Sequence, residues 1–163
     1  MRNAVMLSVV GACALLAACG QGGGEKTAEA PAAPATPEPT AAEKQALLAA
    51  LPAPYNTADL ANGKQKFGMC RSCHTIVPGG ANMTGPNLHG VFGRKAGEVA
   101  SYKYSDAVKN AGFVWDADHL DKWLAEPRTF LPGTKMSFAG LKDPKDRIDL
   151  IAYLKVETGY KAP

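Results

Sequence analysis

The chain has 163 residues and a formal charge of +3, from 18 Lys and Arg against 15 Asp and Glu. That length holds one small domain with sequence to spare, and so slight a basic excess argues against a polyanion-binding protein and against nucleic acid as a partner. Of the four cysteines, Cys13 and Cys19 fall in the leading segment and Cys70 and Cys73 share one motif, so no disulfide is expected and the compartment has to be read from targeting.

Met1-Arg2 is a short positive start, and Ala4 to Ala18 is an apolar run. The run is shorter than the roughly 20 residues a membrane-spanning helix needs, so it reads as a secretory signal and not as an anchor helix. It ends in Leu16-Ala17-Ala18-Cys19, which resembles the lipobox of bacterial lipoproteins. That resemblance implies cleavage before Cys19 and a lipid on its side chain; an ordinary signal, cut after a small residue, is the alternative. From Gly20 to Pro54 the chain is mostly Gly, Ala, Pro, Glu and Thr. Such a segment buries too little apolar surface to offset its ordering entropy and is expected to stay disordered, with at most a brief helix over Ala41 to Leu51. The organisation expected is therefore a signal peptide over 1–18, a lipidated cysteine and tether over 19–54, and a folded domain over 55–163.

From Tyr55 onward helical periods alternate with turn-rich stretches. Thr57 is placed to cap a helix carrying Leu60, Gly63, Lys64 and Phe67, which delivers Cys70 and Cys73 at its end. Ile76 to Glu98 is rich in glycine without periodicity and reads as loop. Ser105 to Ala111 predicts a short helix stopped by Gly112. Asp116 caps Ala117 to Ala125, which puts Leu120, Trp123 and Leu124 on one face before Pro127 ends it. Asp143, Pro144 and Asp146 open the last helix, whose stripe is Ile148, Ile151 and Leu154 and which Gly159 follows. No segment reads as a strand, so the fold class is all-α. A domain of this size with so much loop has a thin core, and a prosthetic group wedged between the helices would supply the missing apolar mass.

Cys70-Arg71-Ser72-Cys73-His74 names that group. Two thiols at this spacing can add across the two vinyl groups of one porphyrin edge, and the histidine that follows lies under the iron as an axial ligand. A thioredoxin-type couple would want a βαβ context, and a zinc site would want two more Cys or His at ligand spacing. Neither is present, so one covalent haem c is expected. The second axial position has five candidates. Met69 lies on the wrong side of the attachment turn, Met83 and His89 follow soon after it, and His119 sits among acids on what reads as a solvated face. Met136 ends the turn-rich Leu131-Pro132-Gly133-Thr134-Lys135-Met136, a loop able to lay a thioether across the ring.

These segments, with Thr84-Gly85-Pro86-Asn87-Leu88-His89-Gly90, Phe92-Gly93-Arg94-Lys95 and Arg147-Ile148-Asp149-Leu150-Ile151-Ala152-Tyr153-Leu154-Lys155, closely resemble the class I cytochromes c in order, over about Asn56 to Lys155. The resemblance implies the class I cytochrome c fold, helices and loops wrapped around one covalent haem, with His74 and Met136 as axial ligands. It implies that Gly63 and Phe67 pack against Tyr153 and Leu150, that the Pro86 carbonyl holds the His74 ring, and that Arg94, Tyr104 and Trp115 meet the haem propionates. Two positions depart from the family. Trp123 stands where a tyrosine usually approaches the methionine sulfur, and Val108 stands where an asparagine often helps hold a water, although Thr134 remains; a less hydrated distal pocket follows.

The function expected is one-electron transfer and not enzymatic turnover, since a peroxidase or gas binder would need an open iron position with an acid–base group beside it. Arg128, Lys135 and Lys142 flank the methionine loop and could steer acidic partners. By resemblance the donor is a quinol–cytochrome c oxidoreductase and the acceptor a cytochrome oxidase. The protein is expected as a monomer on the periplasmic side of a bacterial membrane, held by its lipid.

Overall fold

A computed structural model describes residues 39–161. Cys19, the signal segment and most of the expected tether lie outside the described residues. Among the described residues six helices occur in the order α1 (Ala41–Ala49), α2 (Leu60–Phe67), α3 (Asp106–Lys109), α4 (Ala117–Ala125), α5 (Pro127–Phe130) and α6 (Pro144–Glu157), with a 3₁₀ turn at Tyr55–Thr57 between α1 and α2. The only strand-type pairing among the described residues is a single bridge between Lys95 and Val114.

Helix α6 is the spine. Asp143 caps it by accepting from the Lys145 N–H at 2.8 Å, and Pro144 takes the first turn, where its missing N–H costs nothing. The Ile148-Ile151-Leu154 stripe understates its burial. Ile148 is only half-buried, whereas every residue from Asp149 to Val156 is buried, because helices cover α6 on more than one side. Helix α2 crosses it at Gly63, where a Cβ would collide with the Asp149 carbonyl oxygen and stand 2.7 Å from the Tyr153 Cβ. Only glycine lets the two backbones come this close. Phe67, one turn on, meets the Tyr153 ring at 5.7 Å between centroids. The crossing is locked by the buried Asp149 carboxylate, which accepts from the Asp59 N–H at 2.9 Å, the Asn62 amide at 2.8 Å and the Lys145 ammonium at 2.6 Å. Burial works against its ionisation, but these donors win and hold its pKa below the usual aspartate value.

The start of α2 corrects the sequence reading. Asp59, not Thr57, is the cap, accepting from the N–H groups of Ala61 and Asn62, while Thr57 belongs to the 3₁₀ turn and its hydroxyl donates to the Pro54 carbonyl. Helix α3 is shorter than Ser105 to Ala111, with Ser105 as its cap and Gly112 beyond it at φ +76°. Asp116 caps α4, which lays Leu120, Trp123 and Leu124 in the core. Pro127 both ends α4 and begins the single turn of α5. Arg147 ties the pieces together, donating to Asp121 on α4 at 2.7 Å and to the carbonyls of Leu141 and Lys142 at 2.9 Å each.

The boundary expected at residue 54 moves forward. The folded domain takes in α1, because α1 is docked on α6. Thr40 and Glu43 form a reciprocal capping box at its start. Leu48 and Leu51 are buried with Ala152 and Val156 of α6, and Lys44 bonds Glu157 at 2.6 Å. At the other terminus, the Lys155 ammonium lies 3.5 Å from the Tyr160 ring centroid and 4.5 Å from that of Phe92, a cation–π contact that pins the chain end. Among the described residues no helix is long and apolar enough to cross a membrane.

Candidate haem site

The attachment turn grows out of the end of α2. The N–H groups of Cys73 and His74 both return to the Cys70 carbonyl, at 3.0 and 2.9 Å, so residues 70–74 form one tight turn presenting two thiols and an imidazole. Cys70 and Cys73 form no disulfide, and burial pushes the Cys70 thiol up to about 11, with the neighbouring Cys73 adding to the rise. Neither rival reading finds support, since among the described residues there is no βαβ unit and no cluster of three or more His, Cys, Asp or Glu placed to hold a metal.

His74 is held from two sides. Its Nδ1 donates to the Pro86 carbonyl at 2.7 Å, which fixes the tautomer and leaves Nε2 with no hydrogen-bond partner among the described residues. Its ring lies against Gly85, where a Cβ would overlap the imidazole. Burial lowers the His74 pKa, opposed by the Pro86 carbonyl, and so favours the neutral imidazole that a metal requires. Gly85 itself is hung on the attachment turn, its N–H donating to the Cys73 carbonyl at 2.8 Å. The loop behind it is knotted by Asn87, whose amide reaches the Thr75 hydroxyl and the carbonyls of Val77 and Gly80. Asn82 accepts from the Asn87 N–H and donates to Ser101, joining this loop to the next. Gly85 and Asn87 stood in the Thr84–Gly90 signature without a stated role, and Asn82 was not singled out, although its position in a glycine-rich loop directly after the motif was the available signal.

The candidates for the second axial position separate clearly. Met69 and Met83 are exposed. His89 faces Gly159 at the end of α6, and its buried Nδ1 has no hydrogen-bond partner among the described residues. His119 is not on a fully solvated face: its ring stacks on Phe113 at 4.4 Å and 11°, and Nδ1 bonds Asp116 at 2.8 Å. Of the three methionines, Met136 alone is partly buried against the main core. Thr134 holds it, its hydroxyl accepting from the Met136 N–H at 3.2 Å, after a turn in which Gly133 adopts φ +88°. Lys135 ties the same loop to the Lys103 carbonyl at 2.7 Å.

Of the propionate candidates, Arg94 spends two donors on the carbonyls of His89 and Asn87, at 3.1 and 3.2 Å, and keeps others available. Burial lowers its pKa and raises that of Tyr104, and the two groups partly relieve each other. Trp115 is buried, its indole N–H has no acceptor among the described residues, and its backbone bonds those of Gly93 and Arg94. Trp123 is equally buried, edge-on to Trp115 at 5.4 Å and to Phe130 at 6.3 Å, with Val108 in the same core. Two of the basic trio are tied down. Lys142 stands 3.6 Å from Glu126 and donates to the Ala125 carbonyl, Lys135 is committed to Lys103, and only Arg128 is exposed without such a partner among the described residues.

Paired free thiols, an oriented neutral imidazole with Nε2 open, a glycine-floored cradle and uncommitted donors on Arg94 and Trp115 fit a covalently attached haem. Fold and site together define an all-α c-type haem protein. The cytochrome c family model matches residues 60–156. The chain is 54% identical over 105 residues to cytochrome c of Cochliobolus lunatus, covering 64% of this chain and 97% of that protein. It is 46% identical over 109 residues to cytochrome c2 of Blastochloris viridis, covering 67% and 86%. Among solved structures, cytochrome cH from Methylobacterium extorquens is similar, with a TM-score of 0.56 and 47% identity over 60% of this chain and 98% of that one. The chain belongs to the cytochrome c family, as a class I member that binds one covalent haem c and carries electrons.

Proposed function

We propose that the protein is a lipid-anchored one-electron carrier on the periplasmic side of a bacterial membrane, with His74 and Met136 as axial ligands. Electrons would come from a quinol–cytochrome c oxidoreductase and leave to a terminal oxidase. The observation that carries the ligand assignment is the contrast between a His74 ring clamped by Pro86 with Nε2 open and a single methionine, Met136, drawn into the core while Met69 and Met83 stay outside. A haem held by this thioether and this imidazole would be favoured in its ferrous state and would supply one-electron chemistry. Around that group the chain does the rest: Pro86 orients, Thr134 positions, and Trp115, Trp123 and Val108 exclude water.

The anchor rests on Leu16-Ala17-Ala18-Cys19. With α1 docked on α6, residues 41–51 belong to the folded domain and not to the tether. Mass spectrometry of the mature protein should find a diacylglyceryl-modified Cys19 as first residue; an unmodified N-terminus beyond it would refute the anchor. The holoprotein should be reduced by membranes supplied with quinol and reoxidised when oxygen is admitted, and failure of both steps would refute the carrier assignment.

A further inference from the structure

Five large hydrophobic side chains are left exposed among the described residues, and two of them, Met69 at 50% and Met83 at 47%, carry a reactive atom where Leu47, Val77 and Val114 carry none. Met69 directly precedes Cys70. The Met83 N–H donates to the Gly85 carbonyl at 2.8 Å, and the Gly85 N–H donates to the Cys73 carbonyl at 2.8 Å, so the loop carrying Met83 hangs on the attachment turn. Neither methionine belongs to a core cluster. The described residues hold five sulfur atoms. The three that a haem would use, on Cys70, Cys73 and Met136, are half-buried, and the two it would not use are exposed.

Methionine ordinarily fills gaps in a core, and neither of these does. What sets them apart from leucine is a sulfur lone pair open to solvent. An electrophilic oxidant such as hypochlorous acid takes electrons from such a lone pair. In net terms one S–O bond forms, the O–Cl bond breaks, sulfur gives up an electron pair to chlorine, and chloride and a proton leave. The product is a sulfoxide, polar where the thioether was apolar, so the damage depends on where the sulfur sits. At Met69 or Met83 the change falls on a side chain already in water. At Met136 it would put a polar group against the core and spoil a soft ligand.

We propose that Met69 and Met83 are a modification site: sacrificial thioethers that take oxygen from hypohalous acids and so spare Met136 and the cysteine sulfurs. The inference rests on Met136 as the axial ligand and adds a function that electron transfer does not require. A limiting dose of a fast oxidant is divided among sulfurs by their access to solvent, so the two exposed ones are consumed first.

The test treats the full ferric holoprotein with about one molar equivalent of hypochlorous acid, follows the red thioether-to-iron band and locates sulfoxide by peptide mass spectrometry. In wild type, Met69 and Met83 together should carry about ten-fold more sulfoxide than Met136, with the band retained. Met69→Leu with Met83→Leu conserves apolar volume, so spectrum and midpoint potential before oxidant should match wild type, while Met136 sulfoxide after it should rise about five-fold. Adding Leu47→Met to that double variant returns one exposed thioether, on α1, and should recover about half of the sparing. Met136 oxidised as readily as Met69 and Met83, or a double variant whose Met136 is spared as in wild type, would overturn the proposal. So would a triple variant no better protected than the double one, since packing and not sulfur would then do the sparing. A wild-type ferric protein with no thioether band before oxidant would refute Met136 ligation, and the proposal with it; that result is distinct from lost sparing.

Discussion

Gly63→Ala is the sharpest probe of the helix crossing. The added methyl would overlap the Asp149 carbonyl oxygen and lie 2.7 Å from the Tyr153 Cβ and 2.8 Å from the Asp149 carbonyl carbon. Two of those three atoms are backbone of α6, so no side chain can swing away and the helices have to separate. Overpacking of this kind costs about 1–3 kcal/mol, and a backbone obstacle places it at the upper end. Alanine recovers about 1 kcal/mol of helix propensity, leaving a net loss of about 2 kcal/mol. For a domain of this size that lowers the thermal midpoint of the holoprotein by roughly 6–10 °C. The reverse change at the exposed Ala61, Ala61→Gly, measures the propensity contribution alone at about 0.5–1 kcal/mol. A Gly63→Ala protein as stable as wild type, or more so, would show that propensity and not close approach governs this position.

Asp149→Ala strands the Asp59 N–H, takes one of two acceptors from the Asn62 amide and should cost about 1–3 kcal/mol by denaturant titration. Because the native pKa of Asp149 is depressed, its contribution is present above the unfolded aspartate value and is lost as pH falls through the folded one; Asp149→Asn should therefore flatten the acid limb of a stability–pH profile, and an unchanged limb would contradict the network. Leu48→Ser with Leu51→Ser should undock α1, speeding hydrogen exchange over residues 42–51 and costing about 2–4 kcal/mol, with the visible spectrum unaltered. Arg147→Lys gives up the forked contact with two carbonyls just beyond the methionine loop, so it should lower stability by about 1–3 kcal/mol and raise imidazole uptake by the ferric protein, an effect absent if the loop is held elsewhere.

How much of this could be read beforehand depends on how local the cause is. The Cys70–His74 spacing is a covalent requirement, and the caps at Asp116 and Asp143 lie within one turn of the bonds they make, so all were legible. Thr57 and Asp59 are both competent caps two residues apart, and the choice turned on whether Asp149, ninety positions away, could take the Asp59 N–H. The brief helix expected over Ala41 to Leu51 is present as α1, but its docking was obscured by composition. Its stretch reads as linker because Leu48 and Leu51 find their apolar partners only on the far end of α6. Met136 could be ranked above Met69 and Met83 by its setting, but its burial is a property of the packed molecule. The same holds for Lys135 and Lys142, which read as unattached cations until the carbonyls of Lys103 and Ala125 came within reach.

The account stands on sulfur from Met136 facing nitrogen from His74 across one haem. The visible spectrum of the ferric holoprotein tests it most directly. Wild type should show the weak red thioether-to-iron band with no carbon monoxide uptake on reduction, and Met136→Ala should lose the band, bind carbon monoxide and shift to a lower midpoint potential. A Met136→Ala protein that kept the band and the midpoint of wild type would contradict it.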